Sequence, residues 1–219
     1  MLTHKLTLAS LSLQEIKKFV QLQEGKVGTY GWNNVEDLAI TPHEQQQLIE
    51  VRSHLINRDT TLMNEATIWS RAIYPLLLLA ESNDIEAWAE IPLSAQYKTF
   101  TLEGVADGVL GRNVAGRLEA PYLVVVEAKR GIDASTPVYQ LYGQLLAAAR
   151  LNWELTPQNS VEIFGCYTIA DTWKFLRAEI ENIDTEQPTM RLEYSREYVE
   201  KLETETIFKI LKTIVARYQ

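Results

Sequence analysis

The stretch "LEGVADGVLGRNVAGRLEAPYLVVVEAKRG", Leu102–Gly131, decides the fold. Within it Leu123–Val126 is an unbroken apolar run rich in β-branched valine, which reads as a strand covered on both faces. The run stops at Glu127, Ala128 and Lys129, and the apolar segment before it contains Asp107. Charge at the end of a buried strand costs free energy unless it is paired or bound to something. Residues two apart in a strand face the same way, so Glu127 and Lys129 share a face, about 7 Å apart along the chain. Pairing of the two segments brings Asp107 toward Glu127. Two converging carboxylates beside a lysine repel when ionised, and a divalent cation is the natural neutraliser. Oxygen-only ligands of this kind suit Mg²⁺ or Mn²⁺, with the Ala128 carbonyl as a further donor.

Working outward, "IEAWAEIPL", "KTFTLEGVADGVLG" and "YLVVVEAKR" predict three strands, the last two joined by the loop "RNVAGRLEAP". Upstream, Ser12 caps a short helix in "LSLQEIKKFVQLQ", and the Gly and Asn residues of "EGKVGTYGWNNVE" predict turns. "TPHEQQQLIEVRSHLIN" is a helix with Thr41 as its cap and Pro42 in the first position. "TLMNEATIWSRAIYPLLLLAES" predicts one long buried helix, bent near Pro75. Downstream, Ser135 or Thr136 caps a helix in "ASTPVYQLYGQLLAAARLN", with Pro137 at its first position. "VEIFGCYTIA" and "TWKFLRAEI" are strands turned by "ADT", "MRLEYS" is a last strand, and a C-terminal amphipathic helix covers about 196–218. The order predicts an α/β fold, a mixed β-sheet flanked by helices on both faces, with extra N-terminal helices. No repeat or linker interrupts 1–219, so one domain is expected.

The 219 residues carry a formal net charge of −8, which argues against a surface that is basic all over. The longest apolar run, "AIYPLLLLA", is about half of what a membrane crossing needs, and no signal peptide is read at the N-terminus. The single cysteine, Cys166, lies in an apolar segment and reads as a small buried hydrophobe. A soluble, cytoplasmic protein with no membrane contact is expected. The histidines show no metal-ligand spacing, and neither a phosphate-binding nor a dinucleotide-binding glycine motif is present. Trp69, Trp88, Trp153 and Trp173 are assigned to the core.

"GVAD", followed about twenty residues on by "VVVEAK", resembles the PD-(D/E)XK nuclease superfamily, whose fold is restriction-endonuclease-like. Among its members the chain looks most like the nuclease domain of type I restriction subunits and small stand-alone relatives. The likeness covers a core of about 64–180, leaving an N-terminal extension over 1–60 and the C-terminal helix outside it. It implies Asp107 and Glu127 as metal ligands and Lys129 as the residue that positions the attacking water. The family often has a Glu on the preceding helix that reaches the metal or its water, and Glu65 in "LMNEATIW" is the match. Some branches carry Gln-x-x-x-Tyr on the helix after the third strand; Gln140 fits its first position, while Gln144 stands where the Tyr would be.

The resemblance implies a Mg²⁺- or Mn²⁺-dependent nuclease acting on DNA, double-stranded by preference, as a homodimer or within a larger restriction or repair complex. The competing expectations are a catalytically silent module of the same fold, used for binding or assembly, and a nuclease active only inside such a complex. Taken singly, Asp107 reads as a turn acid and Glu127–Lys129 as a cross-strand pair; their conjunction with Gln140 favours the metal site.

Overall fold

The computed structural model describes residues 4–131 and 137–218. Strand β1 (His4–Thr7), helix α1 (Leu13–Phe19) and strand β2 (Gln21–Val27) come first. Helices α2 (Pro42–Ser53), α3 (Glu65–Ile68) and α4 (Tyr74–Leu79) follow. Three long strands succeed them, β3 (Ile85–Gln96), β4 (Phe100–Val114) and β5 (Arg117–Lys129). Helix α5 (Val138–Leu155) leads to β6 (Ser160–Ile169), β7 (Thr172–Glu181), β8 (Thr189–Val199) and finally α6 (Glu200–Ala216).

Among the described residues the strands form one mixed sheet in the order β1-β4-β5-β6-β7-β8-β2, with β3 paired to β4. The valine run lies where two buried faces require it. Val124 and Val126 pack with Leu76, Leu77, Phe175, Phe208 and Leu211 beneath α4 and α6, and Val125 packs with Leu141, Leu145 and Leu176 beneath α5. Each such fully buried side chain contributes roughly 1.5–3 kcal/mol of transfer free energy. The α/β architecture with helices on both faces is therefore as expected from the element order.

Four local expectations change. The stretch after α1 forms turns only from about Gly31: before them Gln21–Val27 is β2, parallel to β8, and His4–Thr7 is β1, parallel to β4. Both are edge additions whose side chains are largely exposed, so they carry little apolar periodicity. The expected loop "RNVAGRLEAP" is mostly strand, because Ala115 (φ 53°) and Gly116 (φ 79°) close a two-residue hairpin in left-handed conformation. The long helix is interrupted earlier than Pro75. Residues Trp69–Ile73 form a π-helical turn in which the Tyr74 N–H reaches back to Trp69 O, and Pro75, in the first turn of α4, has no N–H to donate. The last strand is longer than "MRLEYS", taking in Thr189–Val199. Capping boxes at Ser12/Glu15 and Thr41/Glu44 start α1 and α2 at the expected serine and threonine. Ser135 and Thr136, the expected caps of α5, lie outside the described residues, and Pro137 directly precedes the helix. No helix among the described residues is long and apolar enough to cross a membrane.

Candidate active site

Strands β4 and β5 pair from Val114–Arg117 up to Gly108–Val126 and then part, the first half of β4 turning to β1 instead. At the fork the Ala128 N–H has lost a backbone partner on β4. Asp107 replaces it, its Oδ2 accepting from Ala128 N at 2.6 Å. The N–H and C=O of one strand residue point to the same side, so the Ala128 carbonyl opens on the same gap. A strand-end acid is thus tied between the two charged residues of "EAK".

Glu127 lies on the α5 side of the sheet and is fully buried. Its two oxygens have different partners: Oε2 accepts from Gln144 Nε2 at 2.6 Å, and Oε1 pairs with Lys129 Nζ at 2.5 Å. The same Gln144 amide reaches Val105 O on β4 at 3.3 Å, bridging the parted strands. Burial pushes the Glu127 carboxyl up to about 7, the Asp107 charge adding to it while Lys129 and Gln144 pull down. Asp107 is also raised, chiefly by burial; its bond from Ala128 and the Lys129 charge oppose this, and Glu65 and Glu90 reinforce it. Burial alone would lower Lys129, but its bond to Glu127 and the surrounding carboxylates raise it.

A cleft opens over the fork, lined by Glu65, Ala66, Trp69, Glu90, Asp107 and Ala128. Glu65 occupies the first turn of α3, which Asn64 caps by accepting from Thr67 N at 2.8 Å. The π-helical turn begins at Trp69, whose ring lies on Gly108; a Cβ there would come within 2.4 Å of Trp69 Cη2. Only glycine lets the indole sit beside Asp107. Glu90, at φ 55°, falls between the pairs Ala89–Gly108 and Ile91–Ala106 and so stands opposite Asp107. Glu86, the other acid on this strand, is turned away to Asn113 Nδ2 at 2.6 Å.

The structure thus brings Asp107, Glu127, Ala128 and Lys129 together, and Glu65 lines the same cleft as Asp107 and Ala128. Gln140 is half-buried one turn before Gln144 on α5 and has no side-chain bond to these residues among those described. The amide that meets Glu127 is Gln144, the residue standing at the Tyr position of the pattern. Its place one helical turn on, facing the sheet, is the signal that could have found it. Trp69, assigned to the core, is instead partly exposed in the cleft. Its position at an irregular helical turn leaves no trace in hydrophobic periodicity.

Among the described residues no three His, Cys, Asp or Glu side chains converge to enclose a cation by themselves. The donors present are two carboxylates and a backbone carbonyl, with Glu65 nearby. Mg²⁺ keeps several waters and takes one or two carboxylates plus substrate phosphate oxygens, so the Asp107 carboxylate and Ala128 on the cleft suit such an ion, while the Glu127 carboxylate is buried and engaged by Gln144 and Lys129. No protein-family model matches the chain, and no curated protein matches it.

Proposed function

We propose that the chain hydrolyses phosphodiester bonds in DNA as a member of the PD-(D/E)XK superfamily with the restriction-endonuclease-like fold. The observation that carries this reading is the hydrogen bond from Ala128 N to Asp107, which joins a strand-end carboxylate to the Glu127–Lys129 pair at the strand fork. Asp107, Glu127 and the Ala128 carbonyl would hold Mg²⁺ or Mn²⁺, with Glu65 reaching it directly or through water. That ion would supply a polarised phosphate oxygen and a water acidic enough to deprotonate near neutral pH. Lys129 orients that water and offsets charge growing on the phosphate, while its link to Glu127 fixes where the ammonium stands. Gln144 fixes the Glu127 carboxylate from behind, so the group is preorganised before substrate arrives. The net charge of −8 favours a version in which DNA grip comes from other members of a larger complex.

The test is cleavage of double-stranded and single-stranded DNA by the purified chain in millimolar Mg²⁺ or Mn²⁺. Asp107→Ala and Lys129→Ala, shown to be folded by circular dichroism, are expected to lose at least about 100-fold in rate. Variants that cut as fast as the parent overturn the site. A parent that binds Mn²⁺ by calorimetry through Asp107 but cuts nothing points to a subunit that needs its complex. A parent that neither binds nor cuts leaves a binding module.

A further inference from the structure

Glu127 and Lys129 share the α5 face of the sheet, and the neighbouring strands carry that face onward. Register places Tyr167 of β6 beside Glu127 and Ile169 beside Lys129. On β7 Lys174 stands opposite Tyr167 and Thr172 opposite Ile169, and on β8 Glu197 stands opposite Lys174. Directly paired residues project to one side, so these side chains form two rows leading away from the site. Helix α5 packs mainly against β5 and β6. Past it Tyr167, Ile169, Thr172 and Lys174 are partly exposed, whereas Thr168, Trp173 and Phe175, facing the other way, are buried. With Glu197 these four line a groove in the sheet face.

The groove offers an aromatic ring, an aliphatic floor, a hydroxyl and an ammonium. Lys174 Nζ stands 3.8 Å from Glu197 Oε1, beyond hydrogen-bond reach. Neither that ammonium nor the Tyr167 hydroxyl has a hydrogen-bond partner among the described residues. Tyr194, farther along the same face, is already engaged by Glu24 and Tyr142. A sheet face that presents a ring for a base and a cation for a phosphate suits single-stranded nucleic acid. A duplex suits it poorly, because paired bases show only their edges and leave no flat face for Tyr167. Lys174 lies two strands over and two residues along from Lys129, about 12 Å between Cα atoms, so one strand can touch both. Glu197 opposes an anion here, but its carboxylate is exposed and water screens it.

We propose that this groove is a subsite for one unpaired strand of DNA, with Lys174 taking a phosphate and Tyr167 stacking a base. The strand runs from Lys129 across the ends of β6 and β7, beside the phosphate to be cut. The choice of DNA as the occupant rests on the nuclease reading. The net charge of −8 does not oppose a contact of this size, since one lysine neutralises one phosphate.

The experiment is fluorescence anisotropy of a labelled DNA single strand of about 16 nucleotides, at low salt and without divalent metal so that nothing is cut. Cleavage rates of the same strand in Mg²⁺ are measured beside it. Lys174→Ala is expected to bind about fivefold more weakly and to lower the salt slope by about 0.7, the share of one single-strand phosphate. Tyr167→Leu keeps the apolar bulk, loses the ring and weakens binding about tenfold. Glu197→Gln removes the opposing charge and tightens binding about threefold, a gain that misfolding does not produce. Lys98→Ala, whose lysine pairs with Asp184 away from the groove, leaves binding unchanged. In cleavage, Lys174→Ala raises KM and spares kcat. A parent that binds no single strand, or binding that ignores both Lys174→Ala and Tyr167→Leu, overturns the subsite. So does an equal loss by Tyr167→Leu on the same strand annealed to its complement. Binding that behaves as expected in a chain that cuts nothing overturns the nuclease reading and leaves the groove. Cutting by a parent whose groove variants bind and cut like it overturns the groove and leaves the nuclease.

Discussion

Glu127 is a buried carboxylate held by one amide and one ammonium, and each donor keeps the charged form within reach of neutral pH. Gln144→Leu removes the amide and leaves the buried Glu127 Oε2 without its donor. The carboxyl then rises further, and less of it is ionised at neutral pH. The expected outcome is a loss of about 10–100-fold in cleavage rate, with the acidic limb of the pH–rate profile moved to higher pH. A rate profile superimposable on the parent's would show that Gln144 does not tune Glu127. The charged residues themselves were legible in the sequence, because Asp107, Glu127 and Lys129 interrupt apolar runs where charge is costly. Gln144 was less legible. Choosing between two amides one turn apart needs the rotation of α5 on the sheet, which is settled by the packing of Leu141 and Leu145 against residues distant in sequence.

At the scale of elements, the buried strands and capped helices were readable, and the irregular joints were not. Leu123–Val126 announces a central strand by composition, and Thr41 with Pro42 announces the start of α2. The edge strands β1 and β2 lack such signals because few of their side chains are buried. The hairpin at Ala115–Gly116 looks like part of a loop in the sequence because alanine is a poor marker for a left-handed residue. That misfit gives a prediction for the element. A two-residue hairpin with both residues at positive φ prefers Asn-Gly, so Ala115→Asn is expected to stabilise the protein by up to about 1 kcal/mol. Urea denaturation checks it through the midpoint at unchanged slope. A midpoint equal to or below the parent's would mean that the β4–β5 turn does not bear on global stability.

For the whole molecule, stability against pH is set by carboxyls displaced in opposite directions. Glu15, through its Ser12 bonds, and Glu203, through Arg196, are held below their usual value of 4.5. Their contribution is present above that value and is lost as pH falls below it. Glu127 and Glu200 are raised from 4.5 to about 7 and about 8, so the folded chain binds their protons more tightly than the unfolded chain does. Their contribution is complete below 4.5 and is lost as pH rises through 7 and 8. The metal-free protein is therefore expected to be most stable on the mildly acid side of neutrality and to melt several degrees lower at pH 9. A divalent cation held by Asp107 and Glu127 favours the ionised carboxylates, so Mg²⁺ or Mn²⁺ should recover part of the alkaline loss by mass action. Thermal melts with and without the ion, on the parent and Asp107→Ala, separate the two raised groups. The ion-dependent part should vanish in the variant, while the part due to Glu200, behind the β6–β7 turn, should remain. An ion effect of equal size in both proteins would place the cation away from the strand fork.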